Sequence, residues 1–121
     1  MRFPAYACGV AISIAAACLP TTSFAHAIVL KSSLSAYPIK PRVAGSITLY
    51  FNSRIEVKLS RAVLVSRDHT ERGVALVAGK SAGEVVVELP PLEPGNYAVR
   101  YRVLAADGHV TAETLRFSIA P

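Results

Sequence analysis

Past Cys18 the chain has no thiol and past Met1 no thioether, so its three histidines, His26, His69 and His109, are the side chains best suited to hold an ion. His109 ends the run Asp107-Gly108-His109, which sets a carboxylate and an imidazole one residue apart. In an extended segment, residues i and i+2 project from the same side of the backbone, and Gly108 removes bulk between them. Asp-Gly is equally a turn signal, so the run reads either as a plain turn or as half of a metal site. His26 follows Ser23-Phe24-Ala25, small residues at the two positions that signal peptidase reads. Cleavage after Ala25 would free an α-amine beside an imidazole, and the amine with Nδ1 can close one chelate ring on a metal. An unperturbed α-amine titrates at about 7.7–8.0, so a metal displaces its proton at small cost around neutral pH.

Together, His26, Asp107 and His109 would supply three nitrogens and one carboxylate oxygen. That set suits Cu(II), which prefers tetragonal N/O sites and tops the divalent affinity order. Zinc is the natural competitor, and ligand identity alone does not separate the two. Cu(I) would want Met or Cys. His69, in "RDHTERG" with Asp68 and Glu71, reads as an exposed turn histidine and is left out of the site.

The elements that must position these residues follow a leader. Met1 and Arg2 give a positive start, Ala5 to Leu19 is an apolar run, and Pro20 breaks it. This is a secretory signal covering residues 1–25, and its apolar run is shorter than the roughly 20 apolar residues of a spanning helix. No later run approaches that length, so residues 26–121 are expected as one exported, periplasmic domain without membrane insertion. Both cysteines fall in the leader, which leaves the domain without a disulfide. Cys18 is not read as a lipidation site, because Ala15 stands where a lipobox usually has Leu. The remaining 96 residues suffice for one small core. Without Arg2 the balance is 12 basic to 8 acidic residues, net +4, and the charge is scattered along the chain, as on a solvated surface. A basic stripe with exposed aromatics, the mark of nucleic-acid binding, is missing.

Period two dominates the domain. "SITLYF" (46–51) alternates Ile47, Leu49 and Phe51, and "NYAVRYRVL" (96–104) alternates Tyr97, Val99, Tyr101 and Val103 against Ala98, Arg100 and Arg102. "AIVLKS", "RAVLVS", "GVALV", "EVVVEL" and "ETLRFSI" bring the count to about seven strands. "SAYPIKPRVAG", "RDHTERG", "AGKSAG" and "PPLEPG" carry turn chemistry between them. Short strands without a helical period predict an all-β, immunoglobulin-like Greek-key sandwich or barrel.

"HAIVLKSSLSAYP", "ITLYFNSRIE" and above all "LPPLEPGNYAVRYRVLAADGHVTAETLRFSI" resemble the CopC family of periplasmic copper-binding, copper-resistance proteins. The resemblance covers essentially all of residues 26–121. It implies an immunoglobulin-like β fold that binds Cu(II) through an N-terminal histidine, and it carries ligand roles onto His26, Asp107 and His109. It also implies a carrier or sequestering role, with a CopD-like inner-membrane copper protein as partner; a monomer is expected. Two departures stand out. Many relatives have a Glu after the second strand that can join the copper site, whereas "FNSR" places Ser53 there; Glu56 is read as a solvated loop acid, not a substitute. The Met-rich Cu(I) stretch of some relatives is missing.

Two other classes compete. A histidine pair with a free terminus is also the copper brace of lytic polysaccharide monooxygenases, but a small domain without Trp has little from which to build a flat aromatic platform. A metal-free immunoglobulin-like binding module would have no need of a particular first residue. No nucleophile elbow, carboxylates paired at useful spacing or phosphate-cradling glycine loop supports a serine hydrolase or general acid/base scheme, so the chain is read as a non-enzyme.

Overall fold

A computed structural model describes residues 27–121, together with Gly9 and Ala11; the rest of the expected signal segment, 1–25, and His26 lie outside the described residues. The described strands are β1 (Val29–Ser32), β2 (Gly45–Phe51), β3 (Arg61–Val65), β4 (Glu71–Val74), β5 (Leu76–Ala78), β6 (Glu84–Leu89), β7 (Gly95–Leu104) and β8 (Val110–Ile119). They form two four-stranded sheets, β1-β2-β6-β5 and β4-β3-β7-β8, antiparallel throughout. The hairpins β3–β4, β5–β6 and β7–β8 each stay within a sheet, while the β2–β3, β4–β5 and β6–β7 connections cross from one sheet to the other. This is the all-β sandwich that period two predicted.

One apolar run behaves differently from its reading as a single strand. "GVALV" is cut at Ala75: Val74 is still paired with Ala62 of β3, and Leu76 already pairs with Val87 of β6. A strand that changes sheets serves both layers with half its length, which raises the count from about seven to eight.

The predicted alternation holds where both faces differ. Ile47, Leu49 and Phe51 of β2 point inward with Val85, Val87 and Leu89 of β6, against Ala62 and Leu64 of β3 and Val99, Tyr101 and Val103 of β7. Full burial of each such aliphatic side chain is worth about 1.5–3 kcal/mol. Phe51 and Tyr101 join the two layers edge to face, with centroids 5.9 Å apart and planes at 83°. Ala27 is 1% exposed and belongs to this same core, so the beginning of the described domain is packed, not trailing. No helix among the described residues is long and apolar enough to cross a membrane.

Candidate metal centre

The last hairpin carries Asp107 and His109. β7 and β8 pair along ten residues, ending at Leu104↔Val110, and the chain reverses between them through Ala105 to His109. The Gly108 N–H donates to the Ala105 carbonyl at 2.9 Å, and the Ala105 N–H donates to the His109 carbonyl at 2.9 Å. Gly108 has φ +92°, a left-handed conformation that side chains resist, and a Cβ there would meet nothing within 4 Å. Its role is thus conformational and not, as the sequence suggested, to remove bulk.

The turn also corrects how Asp107 and His109 meet. They do not share a face of an extended segment; the backbone folds the aspartate back over the histidine. Asp107 Oδ1 accepts the His109 backbone N–H at 3.0 Å, and Oδ2 lies 3.0 Å from His109 Nδ1. Accepting first that N–H and then the imidazole holds the Asp107 carboxyl below its usual 3.8. A carboxylate this close to Nδ1 favours the tautomer with the proton there, which leaves Nε2 its lone pair. Nδ1 is buried although the His109 side chain is 32% exposed, so what solvent reaches the ring reaches its other atoms. The Asp-Gly-His run is a turn, and within it the aspartate lies against the imidazole.

The 52–60 connection braces this turn. The Ala106 N–H donates to the Arg54 carbonyl at 2.9 Å, Ile55 and Ala105 form a β-bridge, and the Glu56 N–H donates to the Leu104 carbonyl at 2.8 Å. Ser60, the one buried polar residue among those described, donates to the Glu56 carbonyl at 2.9 Å and accepts the Leu104 N–H at 3.0 Å. Gly83 allows a second brace: a Cβ there would sit 2.7 Å from the Phe51 carbonyl oxygen, where the two backbones touch. Glu56 is partly exposed and faces Arg54 at 3.9 Å, in keeping with a solvated loop acid. Ser53 donates weakly to the Arg54 carbonyl at 3.4 Å.

The same connection holds the start of the domain. Asn52 Oδ1 accepts the Ile28 N–H at 2.8 Å, and the Asn52 N–H donates to the Ile28 carbonyl at 3.1 Å. Ala27 to Val29 and Val110 to Leu115 then wall one cleft of about 640 Å³ between the edge strands β1 and β8. Thr111 lines that cleft, and its buried Oγ1 has no hydrogen-bond partner among the described residues.

Of the three residues predicted for the site, the structure brings Asp107 and His109 into contact, while His26 lies outside the described residues. Among the described residues no group of three or more His, Cys, Asp or Glu gathers as a metal cage. His69 sits apart, at φ +64° in the β3–β4 turn, its N–H donating to the Ser66 carbonyl at 2.9 Å. Sequence reasoning missed Asn52 and Thr111. Asn52 carried the faint signal of an amide just after a strand; Thr111 carried none, because its burial arises from packing across the cleft.

An antiparallel two-sheet sandwich, with its closing hairpin turn braced by the same loop that holds its first strand, defines an immunoglobulin-like domain with the Asp-Gly-His turn at one end. The chain belongs to the CopC family: the family model described as the CopC domain matches residues 30–120. Similar solved structures include CopC from Methylosinus trichosporium OB3b, at TM-score 0.61 and 23% identity over 79% of this chain and 95% of that one. PcoC, a copper resistance protein from Escherichia coli, is similar in its selenomethionine form at TM-score 0.57 and 23% identity, covering 77% of this chain and 99% of that one. A second structure of PcoC, described as methionine rich, gives TM-score 0.56 and 24% identity over 79% and 100% of the two chains. At these identities the likeness is one of fold. No curated protein matches the chain.

Proposed function

We propose that the exported chain, residues 26–121, binds Cu(II) in the periplasm and sequesters or carries it, with His26, Asp107 and His109 as ligand residues. The observation that supports this best is the short run of hydrogen bonds linking the two ends of the domain. Ala106 bonds to Arg54 on one side of the 52–60 connection, and Ile28, two residues after His26, bonds to Asn52 on the other. CopC family membership and the copper resistance proteins of like fold agree with it.

In this reading the His26 α-amine and imidazole chelate the ion, and His109 offers Nε2 because its Nδ1 is buried against Asp107. Ligation by an Asp107 oxygen exchanges its bond to the imidazole for a bond to the metal. The N/O donor set selects the cupric over the cuprous ion, and the affinity order sets copper above zinc. The reading is of a binding protein, with Asp107 and His109 as ligand residues and not as a catalytic pair. By family resemblance the domain acts as a monomer that serves a CopD-like inner-membrane copper protein.

The test is a Cu(II) titration, against a chromophoric chelator, of protein whose first residue is His26. One-to-one binding is expected, weakened roughly 100-fold or more by His26→Ala, by His109→Ala or by one added N-terminal residue. Unchanged binding in the His26 variants would overturn the proposal. Peroxide production by the copper form with ascorbate would instead favour a monooxygenase-like role.

A further inference from the structure

Arginines that are far apart in the sequence converge on one sheet face. In the β3–β7–β8 register Arg61 lies opposite Arg102, Val63 opposite Arg100, and Ala98 opposite Arg116. Arg100 and Arg102 alternate with Val99, Tyr101 and Val103, which fill the core, so the arginines all stand on the outer face. Arg61, Arg100, Arg102 and Arg116 line one open groove of about 530 Å³, floored by Val63 and Thr114. Charge read as scattered along the chain is thus gathered in space.

The face is poorly neutralised from within. Glu71 of β4 pairs with Arg100, but among the described residues no carboxylate lies within ion-pair distance of Arg61, Arg102 or Arg116. Glu113 also lines the groove; it is the register partner of inward-facing Tyr101, whose phenol pKa is raised first by burial and then by this carboxylate. Like charges directly opposite each other on a sheet destabilise it. Arg61 opposite Arg102 is such a pair, at the end of the β3–β7 ladder.

From this we infer that the outer face of β3, β7 and β8 is a docking surface for an acidic segment of a partner protein. Guanidinium forks match planar carboxylates in pairs, and side chains spaced along adjacent strands present them as a row that an extended Asp- or Glu-rich segment can follow. A lipid surface fits less well. Among the described residues only Val110 of the exposed large apolar side chains falls on the outer side of β7 and β8; Ile28, Leu30, Tyr37 and Leu59 lie on other elements, and membrane-surface binding draws on apolar insertion as well as charge. The groove is also too open to enclose a small anion. Its Arg102 end stands two residue pairs from Leu104↔Val110, where the Asp107–His109 turn begins, so a segment docked here would lie beside that turn. The inference does not depend on metal binding.

The experiment uses protein starting at His26 without metal, a fluorescein-labelled deca-glutamate peptide as probe, and anisotropy at low ionic strength. The peptide binds the wild-type protein, and Arg61→Gln/Arg102→Gln weakens it roughly tenfold or more. Lys40→Gln/Lys80→Gln, which removes the same charge from elsewhere, changes affinity less than about twofold if the effect is local. Arg100→Gln/Arg116→Gln serves as a second variant on the same face should the first fail to fold. Equal losses in the lysine and arginine variants would show a response to net charge alone and overturn the inference. So would absent peptide binding, including the outcome in which phosphatidylglycerol vesicles capture the protein through these arginines while the peptide does not.

Discussion

On the proposed copper site, Asn52→Ala separates a residue that would position the site from one that would bind the ion. The substitution removes the acceptor for the Ile28 N–H, a 2.8 Å bond, and leaves the return bond from the Asn52 N–H to the Ile28 carbonyl. The lost bond is exposed and neutral, worth about 0.5–1.5 kcal/mol. If that whole amount is drawn from docking of the first residues, the docked fraction falls by at most about 2- to 12-fold, and the apparent Kd for Cu(II) rises by no more than that factor. Loss of a ligand nitrogen in His109→Ala would be larger by an order of magnitude or more. Competition against a chromophoric chelator gives the Kd, and thermal melts followed by circular dichroism give the stability. A Kd unchanged alongside a lowered Tm would show that tethering at Asn52 does not matter to the site. A loss beyond about 100-fold would make Asn52 itself a ligand, and in either event the tethering argument fails.

Other expectations follow from the same geometry. Asp107→Asn keeps an oxygen for the His109 backbone N–H but loses the charged contact to the imidazole, so it lowers stability at neutral pH. Because the folded carboxyl titrates below its usual 3.8, that contribution is present above the usual value and disappears as pH falls through the lower folded one; urea melts of both proteins should converge only in acid. Ser60→Ala strips the Leu104 N–H and Glu56 carbonyl of a shared buried partner and should cost about 1–3 kcal/mol by chemical denaturation. Thr111→Val replaces a buried hydroxyl that has no partner among the described residues, so metal-free stability should hold or rise. If that hydroxyl serves the occupied site, Cu(II) affinity should fall in the same variant, which a titration beside the melt would reveal.

The sandwich was legible because a half-buried strand must alternate, and β2, β6 and β7 do so with apolar residues at every inward position. The Asp-Gly turn was legible for a similar local reason: Gly108 adopts a φ that other residues resist. Ala75 was not. A crossing between sheets leaves no mark in an apolar run, since Val74 and Leu76 are apolar whichever layer receives them.

By itself the sequence determined which residues could do chemistry here: one Asp-Gly-His run, a histidine after a cleavable-looking leader, and no soft donors beyond the leader. Tertiary structure alone decided that the aspartate grips the imidazole at Nδ1, that Asn52 ties down Ile28 beside the loop bracing the turn, and that four dispersed arginines share one face. Those relations join residues up to dozens of positions apart, and their energies depend on register and burial, quantities that exist only once the sheets have paired.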